Sequence, residues 1–264
     1  MDLQLTGKLA LVTGSTAGIG LAIAQTLAAE GARVIINGRT EARVREASDK
    51  ILAAHPKAQL QPLALDLTTA KAATETTRRF PELDILINTL GVYEPTPFEE
   101  IDDDNWLGII ETNFMSGVRL SRHYLPRMRF EDTGRIIFIS SESAVNIPVE
   151  MIHYGVTKTM QVALARGLAE TTAGTGVTVN SVLVGPTRSE GVEEFLEDMA
   201  RAKNVKKAQV EEEFFKNVRP SSLLKRFETP EEVASMVAYL CSPLAAGTNG
   251  AAVRVEGGLL RGIL

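Results

Sequence analysis

A short apolar run, Leu9-Ala10-Leu11-Val12, passes directly into Thr13-Gly14-Ser15-Thr16-Ala17-Gly18-Ile19-Gly20, after which apolar residues recur at helical spacing at Ile19, Ile23 and Leu27. This order of strand, glycine turn and helix restricts the possible folds more than any other feature of the chain. A brief apolar run suits a strand covered on both faces. Glycines in the turn let backbone N–H groups approach a pyrophosphate, and the N-terminus of the following helix adds favourable dipole charge. Gly14, Ser15, Thr16, Gly18, Ile19 and Gly20 are therefore candidates for holding a dinucleotide, with the glycines spaced G-x-x-x-G-x-G.

The alternation continues along the chain. Further strands are predicted at 34–36, 63–65, 84–88, 135–140, 177–182 and 251–255, and helices at 19–29, 41–54, 103–129, 153–171 and 230–241. The last helix has Pro230 in its first turn and Thr229 as its cap. Alternation at this spacing predicts an α/β fold, a parallel sheet of about seven strands with helices on both faces. No linker or repeat divides it, so residues 1–264 are expected to form a single domain. The charged stretch 187–219 falls after the sixth strand, at the carboxyl edge where ligands bind in such sheets. Two helical stripes run through it, Val192/Phe195/Leu196/Met199 and Val210/Phe214/Val218. It is expected to be a substrate lid, the alternative being a helical pair packed as ordinary structure.

The end of the second strand bears on which dinucleotide is bound. A carboxylate there, about twenty residues past the glycines, would bind the ribose hydroxyls of NAD. Eighteen residues beyond Gly20 the chain has Gly38, flanked by Asn37 and Arg39. A guanidinium at that point can pair with a 2′-phosphate. NADP(H) is predicted over NAD(H), with Asn37 and Arg39 among the cofactor residues.

Tyr154 and Lys158 are four residues apart, on one face of a predicted helix, and Ser141 ends the fifth strand thirteen residues earlier. A phenol titrates near ~10, and a neighbouring ammonium is expected to lower that value and make the phenol a usable proton donor. Ser141 can hold a substrate oxygen beside it.

Taken together these residues resemble the short-chain dehydrogenase/reductase family over nearly the whole chain. Thr13 to Gly20 match its T-G-x-x-x-G-x-G. The resemblance implies a Rossmann-type doubly wound sheet. It also implies a catalytic group of Asn113, Ser141, Tyr154 and Lys158, in which Asn113 holds a water that links Lys158 to solvent. Lys158 and Tyr154 also contact the cofactor. Asp66, with Leu67 beside it, would meet the adenine. Glu256-Gly257-Gly258 resembles the family's D-G-G. Two segments depart from the pattern. Asn88-Thr89-Leu90-Gly91 stands for N-N-A-G, keeping Asn88 and Gly91 as cofactor candidates. Val184-Gly185-Pro186-Thr187-Arg188-Ser189 stands for P-G-x-x-x-T, so Gly185 and either Thr187 or Ser189 would meet the nicotinamide carboxamide.

The implied activity is interconversion of a small-molecule carbonyl and alcohol, with a 3-oxoacyl-thioester reductase as one subtype. A cofactor-sensing protein without catalysis and a lyase or epimerase on the same fold are the alternatives. The helix bearing Trp106, Ile109, Ile110, Phe114 and Val118, with the helix after Tyr154, resembles the pair that builds family homodimers and homotetramers.

Composition narrows the partners. A net charge of −5 with no concentrated basic patch argues against nucleic acid and anionic membranes. No apolar run reaches the ~18 residues of a membrane span, and the N-terminus lacks a signal-peptide layout, so a cytoplasmic protein is expected. The single cysteine, Cys241, sits in an apolar run and is expected to be a buried small hydrophobe. Three scattered histidines provide no ligand cluster, and no metal is expected.

Overall fold

The computed structural model describes residues 1–263, with the Phe195 side chain outside that description. The strands are β1 (Leu9–Val12), β2 (Arg33–Gly38), β3 (Gln59–Ala64), β4 (Ile85–Asn88), β5 (Gly134–Ser141), β6 (Val177–Val184) and β7 (Ala252–Val255). All pair in parallel in the order β3-β2-β1-β4-β5-β6-β7. The helices are α1 (Gly18–Ala29), α2 (Glu41–Ala54), α3 (Ala70–Arg79), α4 (Asp103–Ile110), α5 (Ser116–Phe130), α6 (Ile152–Glu170), α7 (Glu190–Lys203), α8 (Lys207–Glu213) and α9 (Pro230–Cys241).

Side chains alternate across each strand, and the alternation divides the core into two layers. Ala10, Val12, Ile85, Ile87, Ile137 and Ile139 pack with Ile23 and Leu27 of α1 and with Val233 and Val237 of α9. Leu11, Leu86, Ile136 and Phe138 pack with Leu120 and Tyr124 of α5 and with Ala165 and Ala169 of α6. Both faces are thus covered, as a Rossmann-type doubly wound sheet requires. The chain leaves β1 toward β2 and leaves β4 toward β5, so the order reverses between the adjacent strands β1 and β4. A crevice opens at such a reversal, outside the carboxyl ends of the strands.

Several elements differ from expectation. The third strand is longer than 63–65, because edge strand β3 carries Gln59, Gln61 and Pro62 and lacks a continuous apolar signature. Helix α3 has no large apolar residue and rests on small residues capped by Thr69, whose hydroxyl accepts from Ala72 N at 3.2 Å. The predicted helix 103–129 is interrupted by a π-turn at Glu111–Met115. In 187–219 the first stripe is kept, with Leu196 buried and Val192 and Met199 beside it, while its member Phe195 lies outside the described side chains. In the second, a π-turn at Phe214–Val218 carries an extra residue, so Phe215 is buried with Val210 while Val218 is 46% exposed. Phe227 completes this small separate core. Cys241 is buried, and burial pushes its thiol up. Among the described residues no helix is long and apolar enough to cross a membrane.

Candidate active site

The glycine turn closes on itself tightly. Gly14 and Gly18 have φ of +61° and +52°, in the left-handed region that favours glycine. A Cβ at Gly20 would collide with the main-chain oxygen of Gly14. Helix α1 then follows an extended Ala17, with no side-chain cap and no acidic residue in its first turn. By contrast α2, α3, α4, α7 and α9 are each capped by a side chain. The first N–H groups of α1 are left for an anion, which fits a pyrophosphate.

Asn37 secures this turn rather than offering a free side chain. Its Oδ1 accepts from Gly14 N at 3.0 Å, and its Nδ2 donates to Leu63 O and Leu65 O, each at 3.0 Å. Asn37 N donates to Ser15 Oγ at 2.9 Å, so Ser15 is also bound into the scaffold. A Cβ on Gly38 would lie 2.5 Å from Thr16 Cγ2, so residue 38 has no room for a carboxylate. Arg39 is exposed and makes no ion pair among the described residues. Asp66 is exposed, and its Oδ1 accepts from the Thr68 hydroxyl at 2.8 Å. The Leu67 side chain is buried in the core, which leaves only its backbone for a ligand.

After β4, the departure from N-N-A-G is accommodated. Thr89 N donates to Thr13 Oγ1 at 2.9 Å and the Thr89 hydroxyl donates to Thr13 O, tying the ends of β4 and β1 together. Leu90 packs against Gly14. The Asn88 side chain is buried, with no partner for either polar atom among the described residues. A Cβ at Gly91 would lie 3.2 Å from Lys158 Nζ, so glycine keeps the approach to the ammonium open.

Ser141 ends β5 and Tyr154 and Lys158 lie on α6, all at this same edge. Lys158 Nζ lies 5.6 Å from the centroid of the Tyr154 ring and donates to Ile139 O at 2.9 Å. Burial pushes Lys158 down to about 8. The phenol does not follow expectation. Burial pushes Tyr154 up to about 12, Ser141 beside it works the other way, and the charge of Glu142 adds to the rise. Desolvation of the phenolate outweighs the stabilisation that nearby donors provide. Tyr93 meets Tyr154 edge to face, with ring centroids 5.9 Å apart.

Asn113 sits within the π-turn, a distortion frequent at functional sites. Its Oδ1 accepts from Val92 N at 2.8 Å, and its Nδ2 donates to Val92 O at 2.9 Å and Thr157 Oγ1 at 3.0 Å. It thereby locks the loop after β4 to α6. Near the end of β6, Thr187 Oγ1 donates to Gly185 O at 3.0 Å, while the Ser189 hydroxyl caps α7 by accepting from Val192 N at 3.3 Å. A Cβ at Gly185 would strike the backbone of Glu256, so β6 and the chain after β7 meet closely there. His153 is buried against Trp106, with ring centroids 6.0 Å apart.

Three residues at the site escaped sequence reasoning. Glu142 is buried beside Ser141, and its Oε1 accepts from Arg219 Nε at 3.2 Å, although burial still holds its carboxyl up. Arg219 Nη1 also reaches Glu150 Oε1 at 3.4 Å, so the end of 187–219 is tied to turns on either side of Asn146. Gln161, on α6, contacts both Lys158 and Asn113. The available signal for Gln161 was a polar residue three positions after Lys158, on the inner face of the helix.

The chain matches, over residues 14–260, a family described as enoyl-(acyl carrier protein) reductase. YvaG of Bacillus subtilis (strain 168), an uncharacterised oxidoreductase, is 49% identical over 263 residues, covering 100% of both chains. The 3-oxoacyl-(acyl-carrier-protein) reductase FabG of Aquifex aeolicus (strain VF5) is 32% identical over 98% of this chain and 100% of its own. The solved structure of L-sorbose reductase from Gluconobacter frateurii, complexed with NADPH and L-sorbose, superposes with a TM-score of 0.93 at 29% identity and covers 100% of each chain. With a glycine turn and a Ser141/Tyr154/Lys158 group at one edge of a seven-stranded parallel sheet, and a family match over nearly its full length, the chain belongs to the short-chain dehydrogenase/reductase family and is an oxidoreductase.

Proposed function

We propose that this protein is an NADP(H)-dependent oxidoreductase that interconverts a carbonyl and an alcohol, with Tyr154 as proton donor in reduction and acceptor in oxidation. The observation that carries this reading is the grouping of Ser141, the Tyr154 phenol and Lys158 Nζ, 5.6 Å from the phenol ring, beside Gly91. Ser141 and Tyr154 hold the carbonyl oxygen between two hydroxyls. Bound NADPH supplies the hydride to the carbonyl carbon. Tyr154 gives its proton to the oxygen as negative charge develops there, a contribution of ~10²–10⁴ in rate. Lys158 stabilises the phenolate left behind, and a solvent proton then restores the phenol.

The uncapped first turn of α1 receives the pyrophosphate. Asp66 and the Leu67 backbone meet the adenosine, and Lys158 the nicotinamide ribose. Thr187 or Ser189 takes the carboxamide, the Thr187 hydroxyl donating to Gly185 O and the Ser189 hydroxyl accepting from Val192 N. Preference for NADP(H) is supported by the steric bar at Gly38 and the unpaired Arg39. The NADPH complex of the related L-sorbose reductase supports it too. Residues 187–219 act as a lid, with Arg219 as its tie to Glu142 and Glu150. A polar substrate, a hydroxylated ketone or a 3-oxoacyl thioester, is in keeping with the Glu142–Arg219 pair and with what the relatives' names state. A homotetramer or homodimer through α4, α5 and α6 is supported by Leu107, 65% exposed on α4.

The test is consumption of NADPH, and separately NADH, by the purified protein with ketones, aldehydes, ketoses and 3-oxoacyl thioesters. Turnover that favours NADPH is expected. Tight NADPH binding with no turnover of any of them would leave a narrow-specificity enzyme or a cofactor sensor in place of this reading.

A further inference from the structure

Gln161 is 2% exposed, and both ends of its carboxamide are used. Its Nε2 donates to the main-chain oxygen of Asn113 at 2.5 Å, and its Oε1 accepts from Lys158 Nζ at 3.3 Å. Residues 158 and 161 are three apart on α6 and share one face. The same helix is gripped one turn earlier, where the Asn113 side chain donates to Thr157 Oγ1 at 3.0 Å. Asn113 and Gln161 together therefore lock the π-turn to α6 at two successive turns, with Lys158 between them.

We propose that Gln161 is a positioning residue that fixes the Lys158 ammonium by bridging it directly to the Asn113 main chain. The family resemblance implies a water held by Asn113 that links Lys158 to solvent, and the Gln161 amide contacts both of these residues directly. The role in turnover rests on the carbonyl reduction proposed above, but the bridge itself does not. A buried amide is costly unless its polar atoms are paired, and a leucine could fill the same space without that cost. A glutamine is explained by its two partners. Lys158 needs such an acceptor because no carboxylate pairs with it among the described residues. The titratable groups around it are few. Tyr154 lies on its own helix, Glu142 on the turn after β5 is tied to Arg219, and on the other elements packed against α6 Glu150 is tied to Arg219 and Glu111 to Arg119. The neutral oxygens of Ile139 and Gln161 thus hold the ammonium.

The test is titration of the Lys158 side chain in the intact protein by NMR of its ε-methylene, assigned by its loss in Lys158→Met. Gln161→Leu removes one acceptor and should move the midpoint to lower pH by about one unit. Gln161→Glu places an anion there and should move it to higher pH. If turnover is found, the basic limb of kcat/KM should move with each midpoint. Midpoints unchanged in both variants would overturn the proposal, even if activity or stability falls. Should Gln161→Leu fail to fold, Gln161→Met takes its place, with the same expected direction. If the wild-type protein reduces no carbonyl, the functional reading fails, and the titration still decides the role of Gln161.

Discussion

Gly38 and Thr16 meet where the end of β2 passes the glycine turn, and a Cβ on residue 38 would lie 2.5 Å from Thr16 Cγ2. The contact explains in steric terms why no acidic side chain stands at this position. It leaves the adjacent Arg39 as the charged group at the end of β2. Loss of a guanidinium that pairs with a phosphate costs about 1.5–3 kcal/mol, or roughly 10–150-fold. Arg39→Leu is therefore expected to lower kcat/KM with NADPH by that factor and to leave the NADH value within a few-fold. Steady-state kinetics with both cofactors reads this directly, and an equal loss with each would remove Arg39 from phosphate recognition.

The depressed Lys158 predicts a pH dependence. Its ammonium is present below about 8 and is lost as pH rises through that value, where an ordinary lysine would stay charged to beyond 10. Because kcat/KM reports the free enzyme, reduction should fall off with a basic limb near pH 8. Lys158→Arg keeps its charge across this range and should lack that limb, whatever its absolute rate. A wild-type profile flat to pH 10 would show that the charge on Lys158 does not govern the reaction.

Tyr154→Phe removes the proposed proton donor while keeping the ring that meets Tyr93. Turnover should drop by ~10²–10⁴. NADPH binding, followed by fluorescence, should change less than threefold. Retention of full activity would mean that another group, such as Ser141 beside Tyr154, delivers the proton.

Much of this site is local in sequence and was readable there. The glycine turn, Ser141 at a strand end and the Tyr154/Lys158 pair depend on spacing within single elements, which periodicity reports. What escaped depends on tertiary contact or on small departures from helical period. Arg219 and Glu142 are 77 residues apart and meet only because the chain returns over the sheet edge. The π-turns at Glu111–Met115 and Phe214–Val218 each add one residue to a turn, and no residue type marks where that happens. The second of them moves burial from Val218 to Phe215. Helix α3 lacked the apolar stripe by which helices are recognised. The expected lowering of the Tyr154 pKa failed for a related reason, since burial of the phenol is a property of the whole fold.

The Arg219–Glu142 pair makes a prediction about 187–219. Arg219→Leu would leave a buried carboxylate without its cation, which is more damaging than removal of both charges. The single variant should lose stability by ~1–4 kcal/mol and raise KM for the carbonyl substrate by several-fold. The double variant with Glu142→Gln should recover part of the stability but not the KM, because the tie between Arg219 and the turn after β5 stays broken. Denaturant unfolding and substrate kinetics on Arg219→Leu, Glu142→Gln and the double variant form the cycle. Additive stability effects would argue that the pair does not interact.

Glu228 sits where the chain returns beside Thr187, buried and with Oε2 lacking a partner among the described residues. Burial raises its carboxyl from 4.5 to about 7. Between these values the folded protein holds a proton that the unfolded chain has released. Stability therefore declines as pH rises through this window, and the full penalty is in force above about 7. A shift of this size corresponds to ~3 kcal/mol at most. Glu228→Gln has nearly the same shape and no charge to desolvate. It should be more stable than the wild type by ~1–3 kcal/mol at pH 8, with the difference shrinking toward zero by pH 4.5. Unfolding in urea at both pH values measures the two gaps. A gap of equal size at each pH would assign the gain to packing, and a less stable variant at pH 8 would mean that the ionised carboxylate is held by partners strong enough to offset its burial.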